Sequence, residues 1–373
     1  MPDPVRFNDS MPLSDARATL RTLVDVRPPV PAGQSGGYRF ERYRARPEGA
    51  GMTVTWRIDV GDCRELLAGM DEGSVQTCVT SPPYFGLRDY GVEGQLGLEA
   101  TPDEFVEAMV AVFREVRRVL RDDGTVWLNL GDSYSGGANS GGANSGTTDG
   151  PPVRIKNLPI KRGEGIKPKD LIGIPWMVAF ALRADGWFLR SEIIWAKRNC
   201  MPESVTDRPT RAHEQIFLLS KSPRYFYDAD AIREESDQDD HNQRYAREYD
   251  AHTENVAIGN SQPGNTGNLG IHSRPGTGGR NKRSVWRVSA QPFAGAHFAT
   301  FPPKLIEPCI LAGAPEGGVV LDPFAGAGTT GLVALRHNRS FVGCELNPEY
   351  AELARDRIRD DAPLLNTPSE VAA

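Results

Sequence analysis

Residues 319 to 345 read as strand, glycine turn, helix and strand with almost no chain between them, an order few folds accommodate. Val319 to Leu321 is a short β-rich run, and Asp322-Pro323-Phe324-Ala325-Gly326-Ala327-Gly328-Thr329-Thr330-Gly331 turns out of it. Glycines in such a turn permit positive φ and let the main chain approach a ligand closely. A helix over about Thr329 to His337, a strand at Phe341 to Cys344 and a helix opening at Asn347-Pro348 complete the unit. Alternation of this kind implies an α/β fold on a largely parallel sheet covered on both faces.

The same alternation recurs upstream. Val75 to Thr80 is a β-rich run that stops at Ser81-Pro82-Pro83-Tyr84. Thr101-Pro102-Asp103-Glu104 has the form of a capped helix start, with Thr101 as N-cap, Pro102 in the first helical position and Glu104 closing a capping box. The helix carries Phe105, Met109, Val112, Phe113, Val116 and Leu120 at three- and four-residue spacing, a stripe that belongs to the core. Arg121-Asp122-Asp123-Gly124 is expected to stop it, and Thr125 to Leu130 reads as the next strand. A helix near Leu171 to Arg183 and strands at Phe188 to Trp195 and Gln215 to Ser220 follow.

The rest of the 373 residues is organised around this framework. Residues 1–35 and 360–373 are unpatterned and read as flexible ends. Ser135-Gly-Gly-Ala-Asn139 repeats as Ser140-Gly-Gly-Ala-Asn144, too small and glycine-rich to pack, so residues 135–169 read as a flexible, basic loop. A polar tract rich in Gly and Asn runs from about Asp237 to Arg283 and is too long for a simple connector. The net charge of −6 argues against a protein that coats a polyanion with its whole surface. Two local segments differ. Arg154, Lys156, Lys161, Arg162, Lys167 and Lys169 face only Glu164, and Arg274, Arg280, Lys282, Arg283 and Arg287 have no acid among them. Together they suggest a polyanion groove, with the acidic stretch Asp228 to Asp250 facing away from it. Single solvated loops would give the same local pattern. The five cysteines never pair closely, so no zinc knuckle or disulfide framework is expected, and no metal site. No apolar run approaches the roughly 20 residues of a membrane helix, and the first residues lack a signal-peptide core, so the expected location is the cytoplasm, without membrane association.

In open parallel sheets ligands collect at the carboxyl ends of the strands, where both distinctive motifs fall. The turn with Gly326 and Gly328 follows a strand and opens a helix, and about twenty residues later the next strand ends in Glu345, a position suited to accepting two ribose hydroxyls. A glycine turn alone is equally a tight connection, and the acid at the following strand end is what favours a nucleoside. No Gly-x-x-x-x-Gly-Lys-Ser/Thr occurs, and Asp322 beside the turn suits a positively charged group better than a pyrophosphate, so S-adenosylmethionine fits better than a dinucleotide. Ser81-Pro82-Pro83-Tyr84 can hold an amino group. The Ser81 hydroxyl and the Pro82 carbonyl are two acceptors for its hydrogens, the prolines Pro82 and Pro83 stiffen the loop, and Tyr84 offers a ring for a base taken out of a duplex. A plain Pro-Pro strand exit is the alternative for these four residues alone.

These residues carry a resemblance to the DNA amino-methyltransferases that modify N4 of cytosine or N6 of adenine, in the order where the catalytic motif precedes the cofactor motif. The resembling stretches are Gly61-Asp62 through Tyr84, Asp123 to Gly131, Trp187 to Ser220, His297 to Pro303 and Asp322 to Asn347. The resemblance implies a Rossmann-like methyltransferase, a mostly parallel doubly wound sheet with an antiparallel strand, and a loop-rich insertion for target recognition. It implies a catalytic half at 36–227, target recognition at 228–287 and a cofactor half at 288–359. It further implies catalytic Ser81, Pro82, Pro83 and Tyr84, and a cofactor site of Asp62 (adenine amino group), Thr300 and Phe301 (closing segment), Asp322, Phe324, Gly326, Gly328 and Glu345. Trp195-Ala196-Lys197 resembles the segment beside the target base. Expected DNA contacts are Arg154, Lys156, Lys197, Arg274, Arg280, Lys282 and Arg283.

Duplex DNA is the expected substrate and a cognate restriction endonuclease a candidate partner, with monomer and homodimer both open. Serine at the first catalytic position favours cytosine N4 over adenine N6. Ring-carbon methylation needs a cysteine nucleophile, and the one Pro-Cys pair, Pro308-Cys309, lies in an expected helix. RNA or protein amino-methylation and a non-catalytic DNA-binding module remain as rivals, which methyl transfer from labelled cofactor to DNA separates.

Overall fold

The computed structural model describes residues 41–44, 53–135, 165–200, 202–234, 279–291 and 300–361. Among these, nine strands form one sheet: β1 (Glu41–Arg44), β2 (Thr53–Val60), β3 (Val75–Thr80), β4 (Leu120–Leu130), β5 (Phe188–Lys197), β6 (His213–Ser220), β7 (Val285–Val288), β8 (Val319–Asp322) and β9 (Ser340–Glu345), in the order β1-β2-β9-β8-β3-β4-β6-β5-β7. From β2 through β9, β8 and β3 to β4 every pairing is parallel. β6 is antiparallel to β4 and to β5, β7 runs with β5, and β1 runs against β2. Seven strands therefore share one direction, and their carboxyl ends form a single edge.

Among the described residues six helices cover the two faces: α1 (Cys63–Ala68), α2 (Pro102–Val119), α3 (Ile174–Ala184), α4 (Pro303–Gly313), α5 (Thr329–Arg336) and α6 (Pro348–Asp361). α1, α2 and α3 pack into one apolar cluster with Cys78, Val126 and Leu128, whereas α4, α5 and α6 pack into the other with Val79 and Trp127. The strict alternation of consecutive strand residues between clusters is the pleat at work. It also explains why every residue of β3 is buried. The Thr101–Glu104 capping box forms as expected, and Phe105, Met109, Val112, Phe113 and Val116 are fully buried. Each such side chain contributes roughly 1.5–3 kcal/mol of burial, so this one stripe fastens α2 to the sheet.

The expected α/β doubly wound sheet is the observed one, and its differences from expectation are local. α2 ends at Val119, and β4 begins at Leu120 rather than Thr125. Leu120 already pairs with Val75, and a register shift between Val75 and Thr77 absorbs the Arg121–Gly124 excursion. β1, β2, α1 and β7 were not anticipated. β7 takes Val285–Val288 into the sheet beside β5, so the last residues of the expected insertion belong to the main body. At its other end, the short helical turn Asp230–Ile232 packs Ile232 into the core. The stems of the glycine-rich loop are tied by the Ser135–Asp170 and Lys169–Ser135 backbone bonds and a Tyr134–Leu171 bridge. Residues 1–40, residues 136–164 with all of the repeat but Ser135, residues 235–278 and 362–373 lie outside the described residues. No described helix is long and apolar enough to cross a membrane.

Candidate active site

The two motifs are neighbours because β3 and β8 are adjacent parallel strands, paired at Thr77–Val320 and Cys78–Leu321. Asp322, the last residue of β8, ties their ends together. Its carboxylate accepts from the Thr80 hydroxyl (2.6 Å), the Thr330 hydroxyl (2.6 Å) and the Phe324 amide (3.1 Å). The residue is only 2% exposed. The expectation that Asp322 confronts a cofactor's positive charge is therefore corrected: its side chain is turned into the protein, where it joins the residue before Ser81 to the glycine turn and to α5.

Burial pushes the Asp322 carboxyl up to about 6, against the hydrogen bonds from Thr330, Thr80 and Phe324 that pull it down. With a folded pKa above the ordinary 3.8, the native state binds the extra proton. The contribution is complete below about pH 4 and is lost as the pH rises through 6, by about 3 kcal/mol. Asp322→Asn removes this slope. The stability of the variant relative to the native protein should therefore improve between pH 4 and pH 7 in denaturant unfolding, and a difference independent of pH would contradict the assignment.

Ser81 and Tyr84 emerge from β3 at the same edge, with Pro82 buried between. The Tyr84 ring packs so closely over the end of β4 that a Cβ at Gly131 would lie 2.5 Å from Cε2, which only glycine allows. The Tyr84 hydroxyl donates to Glu214 Oε2 (2.7 Å) and accepts from Asn129 Nδ2 (2.9 Å) and from the Ser81 hydroxyl (3.3 Å). Asn129 Nδ2 also reaches Glu214 Oε2 at 2.8 Å. Burial, with the Glu214 charge beside it, raises the Tyr84 phenol well above its ordinary value, so it remains a donor.

Lys197, at the end of β5, pairs with Glu214 Oε1 and lies 4.6 Å from the centre of the Trp195 ring. The pair is 24% and 13% exposed. Lys197 was expected as a DNA contact, and the structure instead commits it to a part-buried carboxylate. Burial would raise Glu214, but Lys197 and the donors from Tyr84 and Asn129 outweigh it and hold the carboxyl below its ordinary range. Removing one partner of such a pair strands the other charge. Lys197→Met is expected to cost about 3 kcal/mol of stability in chemical denaturation, and an unchanged midpoint would count against the pairing.

On the other side of Asp322 the glycine turn presents main chain. Gly326 and Gly328 have φ of +51° and +72°, a conformation that favours glycine. A Cβ on Gly328 would also meet Ala354 of α6 at 2.9 Å. Glu345, at the end of β9, accepts the Gly326 amide on Oε2 (2.8 Å) and the Asn347 amide on Oε1 (2.9 Å). Each oxygen retains lone pairs, so the carboxylate fits a ribose diol. Burial raises its pKa despite the two amides. The Gly61 amide donates to the Glu345 carbonyl (2.9 Å), which sets Asp62 on the same rim. Asp62 caps α1 through the Arg64 amide and is gripped by the Arg64 guanidinium, so an incoming adenine amino group would share an engaged carboxylate. Phe324 packs on one core cluster and Phe301, leading into α4, on the other. Thr300 is half-buried beside Phe301, and His297, Phe298 and Ala299 lie outside the described residues.

Sequence reasoning missed Glu214, Asn129 and the tyrosines Tyr90 and Tyr350. The rings of that last pair meet edge to face at 6.5 Å, near enough to Glu345 that its charge adds to the effect of burial in raising both hydroxyls. The available signal was an amide and a carboxylate at the ends of otherwise apolar strands, residue types that are costly to bury without partners.

The expected basic surface is also rearranged. Arg280, Lys282 and Arg283 converge on Glu234 at 3.5, 3.8 and 3.0 Å, so the acidic stretch does not simply face away from them. Arg154, Lys156 and Arg274 lie outside the described residues. Cys309 is fully buried in α4 with its thiol pushed up by burial, so it is no nucleophile. A depression of about 500 Å³ lined by Phe226, Leu311 and Arg339 carries none of the motif residues. Among the described residues no group of acids, histidines or cysteines could hold a metal.

A DNA methylase family model matches residues 75–356. The chain is 48% identical to the type II methyltransferase M.XycI of Xanthomonas campestris pv. cyanopsidis over 299 residues, 80% of this chain and 86% of that protein. It is 45% identical to M.SmaI of Serratia marcescens over 302 residues, 81% and 90% of the two chains. The fold is shared with the PvuII DNA methyltransferase (cytosine-N4-specific), at a TM-score of 0.51 and 19% identity over 83% of this chain and 92% of that one. With a family match running from β3 into α6 and relatives nearly half identical over four-fifths of its length, this chain belongs to the S-adenosylmethionine-dependent DNA amino-methyltransferases, as a type II enzyme of the N4/N6 group.

Proposed function

We propose that the enzyme methylates the exocyclic N4 of cytosine at a specific site in duplex DNA, by direct attack from a base turned out of the helix. The observation that carries this reading is the Ser81 hydroxyl, a neutral acceptor one residue beyond the Thr80–Asp322 bond that joins the catalytic loop to the glycine turn. S-adenosylmethionine supplies an electrophilic methyl carbon on a sulfonium. The chain's own residues do the rest. Ser81 Oγ and the Pro82 carbonyl accept the two amino hydrogens, which draws the nitrogen toward a pyramidal form with a free lone pair. The methyl group would pass from the cofactor to this nitrogen, and one of the amino hydrogens would then leave as a proton to solvent.

Glu345 holds the ribose hydroxyls, the main chain at Gly326 and Gly328 lies along the methionine end, and Tyr90 and Tyr350 flank the nucleoside. The half-buried Tyr84 ring stacks on the turned-out base. Residues 228–287 carry target recognition and Arg154 and Lys156 add DNA contacts, since Arg and Asn side chains are suited to pairing with guanine and adenine edges. Arg280, Lys282 and Arg283 retain a net positive charge after Glu234 is counted. Adenine N6 is the second reading, because the same acceptors suit any exocyclic amino group. Digestion of DNA methylated with labelled cofactor, followed by nucleoside analysis, separates the two: label in N4-methylcytosine supports the proposal, and label in N6-methyladenine or 5-methylcytosine overturns it.

A further inference from the structure

The hydrogen-bond chain behind Ser81 has a direction, and that direction is set from its far end. Glu214 offers only lone pairs, so the Tyr84 phenol, 2.7 Å from Oε2, commits its single proton there. Asn129 reinforces this sense. Its Nδ2 contacts both the carboxylate and the Tyr84 oxygen, and turning the amide over would set Oδ1 against the carboxylate. The Tyr84 oxygen is left as an acceptor, so the Ser81 hydroxyl 3.3 Å away directs its own proton inward. That contact is long for O–H···O. What Ser81 has left for a substrate is lone pairs alone.

We propose that Glu214, acting through Tyr84 and with Asn129 fixing the sense, is a specificity-determining positioning residue that locks the Ser81 hydroxyl as an acceptor, so that the site admits a base bearing an exocyclic amino group and rejects one bearing a carbonyl there. This rests on the amino-methylation reading above. Cytosine and uracil, like adenine and hypoxanthine, share a ring shape and differ at this position by a donor against an acceptor. A Ser81 hydroxyl free to rotate would serve either. A locked one meets the carbonyl with two opposed lone pairs. The Lys197 charge keeps Glu214 ionised and hence keeps the chain pointed the same way.

Modification-sensitive sequencing of DNA from cells expressing the enzyme first gives the methylated base and its site. Duplexes with that site, and matched duplexes with the target cytosine replaced by uracil (or adenine by hypoxanthine), are then titrated by fluorescence anisotropy. The measured quantity is the ratio of the two affinities. Comparing this ratio between protein variants cancels the effects of the changed ring nitrogen and of the altered pairing within the duplex. Tyr84→Phe keeps the ring but releases Ser81, and the preference for the amino base should fall about tenfold. Glu214→Gln should lower it similarly in the native background and not further in the Tyr84→Phe background.

Equal ratios in the native enzyme and Tyr84→Phe, with melting temperature and cofactor affinity intact, overturn the inference, and this holds even if Glu214→Gln fails to fold. A second fall of the same size for Glu214→Gln on top of Tyr84→Phe overturns the route through Tyr84. An amino-methylated base with unchanged ratios sinks only the filter, whereas sequencing that finds no amino-methylated base removes the functional reading and the filter together.

Discussion

Ser81→Ala is expected to lower turnover on duplex DNA by about 10²-fold or more while leaving S-adenosylmethionine affinity within about twofold. The reasoning is local. Removing the hydroxyl deletes one of two acceptors that act on the amino group as it becomes a nucleophile, an interaction made at the reacting atom and worth most in the transition state. The cofactor-side residues are held independently of it, since the anchor between the loops is Thr80, not Ser81, and Asp322 keeps its bonds to Thr80, Thr330 and Phe324 in the variant. Single-turnover methyl transfer and calorimetric cofactor titration check the two halves of the expectation separately. Turnover within a fewfold of native would sink the role given to Ser81.

Glu345→Ala should produce the opposite pattern, weakening S-adenosylmethionine binding by about 10²-fold or more. Two hydroxyl hydrogen bonds to a charged acceptor contribute about 1.5–3 kcal/mol each, and each 1.4 kcal/mol is a factor of about ten in affinity. The native carboxylate also anchors the Gly326 and Asn347 amides, so the variant loosens the turn as well as the ribose contact. A pH dependence follows from the same burial. Because the carboxyl pKa is raised, Glu345 takes up a proton at milder acidity than an ordinary carboxylate and then offers fewer acceptor sites. Cofactor affinity should therefore decline as the pH is lowered, and Glu345→Gln should show no such decline. The same loss of cofactor binding in Ser81→Ala as in Glu345→Ala would refute the division of labour between the two loops.

How much of this was legible beforehand depends on the range of the interactions involved. The α2 start, its buried stripe and the strands flanking the glycine turn are written in local spacing and capping chemistry, and they appear where expected. Charge pairing is not local. Lys197 and Glu214 are 17 residues apart and share nothing recognisable in sequence, yet the antiparallel register of β5 and β6 sets Trp195 opposite Glu214 and brings the lysine onto the carboxylate. Arg280, Lys282 and Arg283 looked like free cations because Glu234 is 46 to 49 positions away. Asp322 was assigned to the right loop and the wrong direction. Whether a strand-end carboxylate faces a ligand or the interior depends on which donors the neighbouring strand and helix supply, here Thr80 and Thr330.

By itself the amino-acid order determined the class of fold, the two loops that matter and the kind of chemistry they suit, because strand–turn–helix spacing and the residue types within each loop act over a few positions. The tertiary structure alone decided that the loops share one rim, joined through Asp322, and that a half-buried Glu214 stands behind Ser81. Those facts arise from the order in which parallel strands are laid side by side, which puts residues 242 positions apart within 2.6 Å of each other and which no local pattern encodes.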